Sequence, residues 1–209
     1  VWVALAEIIE ENYQYYDGFV ILHGTDTMSY TASALSFMLE NLAKPVVLTG
    51  SQLPIGKIRT DARENIITAI EIAAARHPGG AAIVPEVCIY FDFRLLRGNR
   101  SRKYNAERFE AFYSMNYASL AEAGVAIKFK PEFILPPPSG TFRVHKRLDP
   151  AIAVLKIYPG IPARTVDAVL DTPGARGVIL ETFGNGNAPT APWFIAAVSR
   201  TVRRGVVVL

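Results

Sequence analysis

Several short polar residues stand together at one junction of the sequence. The apolar run FVIL, residues 19–22, is followed at once by HGTDT, residues 23–27, and helical spacing of apolar residues resumes at residue 29. A helix start needs one Ser, Thr or Asp as its cap, and this junction holds four such residues, namely Thr25, Asp26, Thr27 and Ser29. A threonine hydroxyl beside a carboxylate can hold a water or act as a nucleophile when a base is near. Helix capping is the simpler alternative, but it accounts for only one of these side chains.

A base for Thr25 is offered by the segment RLLRGNRSRKYN, residues 94–105. It follows a predicted strand, residues 86–92, and open α/β sheets bind their ligands at the carboxyl ends of strands. Lys103 would then reach the same rim as Thr25. Lysines act as bases when burial or neighbouring cations lower their pKa. Three arginines of the segment would supply such cations, namely Arg97, Arg100 and Arg102. The alternative is a solvated basic loop.

A third polar cluster, ETFGNGNAP at residues 181–189, closes another predicted strand. Its glycines lack the G-x-G-x-x-G spacing of a dinucleotide site, so the pattern favours a tight turn that presents Asn185 or Asn187. The three histidines and the single cysteine share no metal-ligand spacing, and no G-x-S-x-G nucleophile elbow occurs. We therefore expect neither a metal nor a Ser-His-Asp site.

Apolar runs alternate with helical patterns along the whole chain. The predicted strands cover residues 18–23, 45–49, 86–92, 151–158, 176–182 and 205–209. The predicted helices cover residues 2–16, 29–42, 61–76, 162–170 and 190–204. This alternation predicts an α/β fold with mainly parallel sheets and helices on both faces. The third helix is the best specified, because DARE matches a capping box with Asp61 as the cap and Glu64 reaching back.

Residues 130–150 contain three consecutive prolines and little periodicity. They predict a linker between a larger N-terminal domain, residues 1–129, and a smaller C-terminal α/β domain, residues 151–209. No capping residue precedes the first helix, and the last strand stops abruptly. We therefore expect both domains to be truncated parts of a longer chain.

The composition indicates a globular protein, with 50% hydrophobic and 20% charged residues. No run approaches 18 apolar residues and no signal pattern is visible, so neither a membrane span nor a signal peptide is predicted. The single cysteine, Cys88, lies in an apolar run, so we expect it to be buried. A chain without a possible intrachain disulfide suits a reducing compartment, which indicates the cytoplasm. The net charge of +3 is concentrated in no recognisable nucleic-acid module, so no nucleic-acid partner is expected.

The stretch YDGFVILHGTDTMSYTASALSFMLENLAKPVVLTGSQLP closely resembles a signature region of the bacterial-type asparaginases, specifically the cytoplasmic type I branch. RLLRGNRSRK, IYPGI and GNGNAP lie where that family has similar segments. The resemblance implies a two-domain α/β amidohydrolase that converts asparagine and water to aspartate and ammonia. It also implies no metal or organic cofactor, and a homodimer or homotetramer.

The resemblance assigns roles to six residues. Thr25, Asp26 and Lys103 would form a Thr-Lys-Asp triad, in which the lysine takes a proton from the threonine or its water. Asp26 would steady that lysine and hold the substrate's α-ammonium group. Four further assignments concern substrate binding: Gly24 and Thr25 in HGTDT, Ser51 through its main chain, and Asn187, which in some relatives reaches a neighbouring subunit's site.

One departure from the family pattern concerns the primary nucleophile. The family's Thr-Gly-Gly-Thr stretch and its carboxylate-binding serine loop have no counterpart here. Both would lie before Val1, so we expect a full protein of roughly 330 residues or more. Three other readings stay open: a glutamine-directed amidotransferase subunit, a catalytically inactive amino-acid-binding homologue, and lipid hydrolysis, since a larger animal relative with ankyrin repeats is associated with lysophospholipase activity.

Overall fold

A computed structural model describes all 209 residues, Val1–Leu209. The chain forms two compact units, Val1–Lys146 and Arg147–Leu209. The first unit has three helices: α1 (Trp2–Asn12), α2 (Met28–Met38) and α3 (Ala62–Ala74). Its strands are β1 (Phe19–Leu22), β2 (Leu39–Glu40), β3 (Val46–Thr49), β4 (Val87–Phe91), β5 (Arg94–Arg97), β6 (Arg102–Lys103), β7 (Phe112–Tyr113), β8 (Ala121–Ala123), β9 (Ile127–Phe129) and β10 (Arg143–Val144). The second unit contains β11 (Ile152–Lys156), α4 (Ala163–Leu170), β12 (Gly177–Glu181), α5 (Pro192–Arg203) and β13 (Val207–Val208).

A six-stranded sheet in the order β1-β3-β4-β5-β8-β9 forms the centre of the first unit. The first three strands are parallel, with Phe19 opposite Val46 and Val46 opposite Val87. From β4 onward every neighbour is antiparallel. The predicted α/β class with flanking helices is confirmed. The strands between residues 94 and 129 were not predicted, because runs of two to four residues show too little alternation to be recognised.

Alternate side chains of the parallel strands enter two separate cores. On one face, Val46 and Leu48 pack with residues of α1 and α2, including Ile9, Met28, Ala32 and Leu35. On the other face, Val47 and Cys88 pack with Ala69 and Ile72 of α3. Burial, with a smaller contribution from the Glu86 charge, raises the pKa of the Cys88 thiol well above its ordinary value. This thiol therefore stays protonated and serves as a small apolar side chain.

Tertiary contacts end two helices earlier than their patterns predict. The first was expected to reach residue 16, but α1 ends at Asn12, and the Lys44 ammonium donates hydrogen bonds to the carbonyl oxygens of Tyr13 and Tyr16. The second was expected to reach residue 42, but the chain becomes extended after Met38 because β2 pairs with β10. In both places a partner distant in sequence binds backbone groups that a longer helix would use.

The capping box predicted for α3 is wrong. Asp61 occupies the cap position, but its side chain makes no cap hydrogen bond. The N–H of Ala62 instead donates to Thr60 Oγ1 at 3.0 Å. The carboxylate of Asp61 accepts the backbone N–H groups of Gln52 and Leu53 at 3.0–3.1 Å. Asp61 therefore organises the loop after β3 rather than the helix start.

Much of the proline-containing segment packs on the first unit. Pro131–Phe133 forms a 3₁₀ turn, and β10 pairs with β2. The first compact unit extends to Lys146. The domain limits at residues 129 and 151 stay a prediction.

The second unit has a parallel sheet in the order β11-β12-β13. Both of its helices pack into one core on one face of the sheet, where Val166 of α4 and Phe194 of α5 meet Leu155 and Val178. The opposite face exposes apolar side chains: Ile152, Val154, Ile179 and Val207. Helices on both faces, as predicted, are therefore found only in the first unit. Among the helices of the chain, none has the length and apolar character that crossing a membrane requires.

A buried ion pair ties the sheet to the segment that follows it. Glu86, only 4% exposed, binds the Arg97 guanidinium at 2.6 Å and accepts the Leu135 N–H at 2.9 Å. Arg97 also donates to the Phe133 carbonyl and lies over the Tyr117 ring. Burial alone would lower the pKa of Arg97, but the hydrogen bond and charge of Glu86 outweigh it and raise that pKa.

Replacing Glu86 by Gln should destabilise the first unit, because it leaves the Arg97 charge without a carboxylate. We expect the free energy of unfolding to fall by about 3 kcal/mol, measured by urea denaturation of the full-length protein. The matched control is Glu110→Gln, which breaks a pair with Arg94 whose two side chains are 41–46% exposed. The control should cost less than about 1 kcal/mol. Equal costs for the two variants would contradict this assignment.

Candidate active site

The HGTDT loop connects the carboxyl end of β1 to the start of α2. Its first residue continues the pairing of the sheet, since the His23 N–H donates to the Thr49 carbonyl at 2.8 Å. The cap position of α2 is Thr27, and its side chain makes no cap hydrogen bond. Helix capping therefore does not explain the polar cluster.

The structure brings Thr25, Asp26 and Lys103 together. The Lys103 ammonium donates to Thr25 Oγ1 at 2.7 Å and to Asp26 Oδ1 at 2.7 Å. The Lys103 side chain is 15% exposed, whereas that of Asp26 is 89% exposed. The second carboxylate oxygen of Asp26 accepts no hydrogen bond from the protein, so it is available to a cationic group of a ligand.

Lys103 reaches Thr25 by a route that the sequence analysis did not predict. The expected route was a loop directly after the carboxyl end of β4. Instead β5 pairs antiparallel with β4 and returns to its amino end, where Arg97 lies opposite Cys88. Glycine is required there, because a Cβ on Gly98 would lie 2.9–3.1 Å from neighbouring oxygens, including the carbonyl of Ala32 in α2.

The chain then passes beside α2 until β6 presents Lys103. This strand is held by β7, since Lys103 pairs with Phe112, which is buried in the core beside α2. Arg97 is not one of the cations beside Lys103, because its guanidinium binds Glu86. Arg100 and Arg102 are exposed.

The other predicted site residues have different settings. Gly24 is exposed within the HGTDT loop, and Ser51 is half-buried just after β3, the strand next to β1. Asn187 belongs to the second unit, where it forms a tight turn by exchanging backbone hydrogen bonds with Phe183 at 2.8 and 3.0 Å. The roles assigned to these three residues stay predictions.

Two residues position the Ser51 loop: Asp61, which the sequence analysis assigned only as a helix cap, and Asn65, which it did not identify. Besides the two N–H groups of that loop, the Asp61 carboxylate accepts the Asn65 amide at 3.2 Å. The same Asn65 amide donates to the Gly50 carbonyl at 2.9 Å, and Asn65 is only 3% exposed. A buried asparagine one turn after the cap was the available signal, because such a side chain needs polar partners.

A cavity of about 650 Å³ opens beside the lysine. Asp26 and Lys103 lie on its wall together with Tyr30, Tyr104 and Asn105. The charged pair therefore faces a space that can admit a small molecule. The residues of the chain form no group of three or more His, Cys, Asp or Glu side chains suited to a metal ion.

Comparison with known proteins identifies the family of the chain. Residues 1–135 match the family described as "Asparaginase, N-terminal", and residues 151–209 match "Glutaminase/Asparaginase C-terminal domain". The chain belongs to the asparaginase family. It is 45% identical to L-asparaginase 1 of Escherichia coli over 208 residues, which cover the whole chain and 60% of that relative. The type I resemblance is thereby confirmed.

The chain is also similar to a solved asparaginase structure and to proteins that carry other names. The chain is 43% identical over its whole length to a mouse protein named 60 kDa lysophospholipase, of which it covers 36%. The crystal structure of L-asparaginase I from Vibrio cholerae matches with a TM-score of 0.88 and 45% identity, covering 98% of this chain and 60% of that one. A less similar relative is a component of the glutamyl-tRNA(Gln) amidotransferase of Thermococcus kodakarensis, at 35% identity over 92% of the chain and 43% of the relative. The chain thus spans less than two thirds of the length of each of these relatives.

The loop after β3 packs closely on the HGTDT loop at Gly50, and a substitution there tests whether this packing positions Thr25. A Cβ on Gly50 would overlap the carbonyl oxygen of His23 and approach Met28 Cε to 3.0 Å. We expect Gly50→Ala to displace the HGTDT loop, lengthen the Lys103–Thr25 hydrogen bond beyond about 3.5 Å and lower the free energy of unfolding by about 2 kcal/mol. A crystal structure and urea denaturation measure the two effects.

The matched control for this variant is Gly56→Ala, because a Cβ on Gly56, in the same loop, meets no atom within 4 Å. It should leave both quantities close to those of the unchanged protein. An unchanged hydrogen bond in Gly50→Ala would show that Gly50 does not set the position of Thr25.

Proposed function

We propose that the full-length protein hydrolyses the side-chain amide of L-asparagine, releasing L-aspartate and ammonia. The observation that carries this proposal is the Lys103 ammonium within 2.7 Å of both Thr25 Oγ1 and Asp26 Oδ1, in a chain of the asparaginase family. A hydroxyl and a carboxylate that each contact the same amine are groups that can activate an oxygen for attack on an amide and move its protons.

In the proposed reaction, Lys103 in its neutral form takes the proton of Thr25 Oγ1 or of a water held by it. The oxygen attacks the side-chain carbonyl carbon of the substrate, and the C–N bond breaks as the proton passes from Lys103 to the departing nitrogen, which leaves as ammonia. If the oxygen is that of the water, this step gives L-aspartate directly. If it is Thr25 Oγ1, an ester forms on Thr25, and a water that gives a proton to Lys103 then attacks this ester, releasing L-aspartate as Thr25 Oγ1 takes that proton back. Asp26 holds Lys103 in place through Oδ1 and binds the α-ammonium group of the substrate through its free oxygen. This second contact is charge-assisted and selects amino acids over simple amides.

The remaining site residues complete the proposal. Gly24 and the main chain at Ser51 contact the substrate from two neighbouring loops, and Asn187 contributes to a site of an adjoining subunit in a homodimer or homotetramer. The proposal involves no metal or cofactor. We also propose a cytoplasmic location, because the chain resembles the cytoplasmic type I branch of the family.

Three alternatives differ in the reaction that they predict. A glutamine-directed amidotransferase subunit is supported by the similarity to the glutamyl-tRNA(Gln) amidotransferase component. Lysophospholipid hydrolysis is supported by the name of the mouse relative. An inactive amino-acid-binding homologue would bind asparagine without turnover, and the exposed carboxylate of Asp26 would serve such binding equally well.

The substrate range distinguishes these functions. We expect the full-length protein to release ammonia from asparagine with a kcat/KM at least about tenfold above that for glutamine, because one additional methylene displaces the amide from its attacking group. Ammonia release measures this ratio, and fatty-acid release from a lysophosphatidylcholine is assayed in parallel. Comparable constants for the two amino acids would favour a glutamine-directed enzyme, and asparagine binding without turnover would favour the inactive homologue.

Replacing Lys103 by Met tests the base. The change preserves the apolar stem and removes the amine, so we expect kcat for asparagine to fall by roughly 100-fold or more. The KM should change less, because Asp26 still binds the substrate ammonium. The control is Lys128→Met, at an exposed position of β9 where the lysine forms no ion pair. A kcat unaffected by Lys103→Met would overturn the assignment of Lys103 as the base.

A further inference from the structure

A hydrogen-bonded chain of side chains runs from α1 into the HGTDT loop. The indole Nε1 of Trp2 lies 2.9 Å from Thr31 Oγ1, and the same oxygen lies 2.9 Å from His23 Nε2. The other ring nitrogen of His23, Nδ1, lies 2.7 Å from the carbonyl oxygen of Gly24. Thr31 is only 1% exposed, so its hydroxyl depends on these two partners.

The groups at the two ends, an indole N–H and a backbone carbonyl, determine which atom donates in each of these hydrogen bonds. An indole N–H only donates, so Thr31 Oγ1 accepts from Trp2. A backbone carbonyl only accepts, so His23 Nδ1 carries a proton. In the neutral imidazole Nε2 is then an acceptor, and the hydroxyl proton of Thr31 points to it. Every donor has an acceptor in the order Trp2, Thr31, His23, Gly24, and such chains strengthen each member by polarisation.

The last member of the chain is the residue before Thr25. Gly24 is exposed, and a Cβ placed on it would meet no atom within 4 Å, so packing does not set the orientation of its peptide group. The backbone of His23 is fixed on the other side by its N–H bond to Thr49 and by the close approach of Gly50. The ring of His23 therefore provides the restraint that the open loop lacks.

We propose that His23 and Thr31 are positioning residues for the hydrolytic reaction: with Trp2 they fix the Gly24–Thr25 peptide so that Thr25 Oγ1 meets Lys103. This inference rests on the proposed function. Neither residue is assigned a contact with the substrate. A displacement of about 1 Å at a reacting group is enough to lower a rate by two orders of magnitude. Loss of the restraint should therefore lower kcat and leave KM nearly unchanged.

The test compares two substitutions of Thr31 in the full-length protein. Thr31→Val has nearly the same shape but no hydroxyl, so it leaves the Trp2 N–H and His23 Nε2 without their partner. We expect kcat for asparagine to fall about tenfold with KM within about twofold, the scale of one lost buried hydrogen bond. Thr31→Ser restores the hydroxyl and should return kcat to within about twofold. Loss of kcat in Thr31→Ser equal to that in Thr31→Val would overturn the proposal.

A spectroscopic measurement separates positioning from simple packing. The ¹⁵N shifts of the His23 ring should show a single Nδ1–H tautomer in the unchanged protein and in Thr31→Ser, but a mixture of tautomers in Thr31→Val. This readout is independent of activity. If the protein lacks asparaginase activity but shows the single tautomer, the proposed function is rejected, whereas the hydrogen bonds from Trp2 to Gly24 are still supported. An active protein whose Thr31→Val form has normal kcat would reject the positioning role.

A second variant preserves the test if Thr31→Val does not fold. His23→Phe retains a ring at a half-buried position but removes both ring nitrogens. It should reduce kcat at least as much as the loss of the Thr31 hydroxyl, again with little change in KM. Normal kcat in a folded His23→Phe protein would overturn the proposal.

Discussion

The contact between the Lys103 ammonium and the Thr25 hydroxyl joins segments 78 residues apart in the sequence. Both ends of this contact need precise support, because a lysine side chain is long and loses considerable rotamer entropy when it is held in place. The structure supports the threonine by a sheet strand and the start of a helix. It supports the lysine by a two-stranded ribbon, β6 and β7, whose Phe112 is anchored in the core beside α2. The same helix therefore determines the position of both groups.

The need to bring Lys103 back along α2 explains features that have no catalytic role themselves. The β4–β5 hairpin reverses the chain, and Gly98 lets the backbone approach α2 closely. Strand β5 pairs antiparallel with β4 and places the charge of Arg97 in a buried position near the amino end of β4, where it needs a partner. Glu86 supplies the opposite charge and also binds the following segment at Leu135. A buried charge without such a partner would destabilise the fold, so the ion pair stabilises the hairpin from which the chain continues towards Lys103.

Elements with a continuous apolar run or a long helical period could be predicted from the sequence, because their burial is determined by their own residues. This holds for β1, β3, β4 and the cores of α2 and α3. The two-residue strands β6 and β7 could not be predicted, since their pairing depends on each other and on α2. The sequence likewise identified Thr25, Asp26 and Lys103 as partners by resemblance, but the route that joins them was wrong. It depends on the turn at Asp92 and Phe93, two non-glycine residues with positive φ that no local pattern indicates.

Polar residues at helix starts show why local patterns leave roles undecided. Asp61 and Thr27 both occupy cap positions, and neither uses its side chain as a cap. The carboxylate of Asp61 accepts two N–H groups of the loop after β3, while the N–H of Ala62 at the helix start donates to Thr60. His23 binds Gly24 and Thr31, because the end of β1 leaves its ring between an open loop and a buried hydroxyl. The side chains of Asp61 and His23 thus bind partners that the fold brings near them, which the local sequence does not indicate. The excess of such residues at one junction is therefore more informative than the identity of any single one, because a helix start needs only one cap and the additional side chains are free for other contacts, such as those of Thr25 and Asp26 with Lys103.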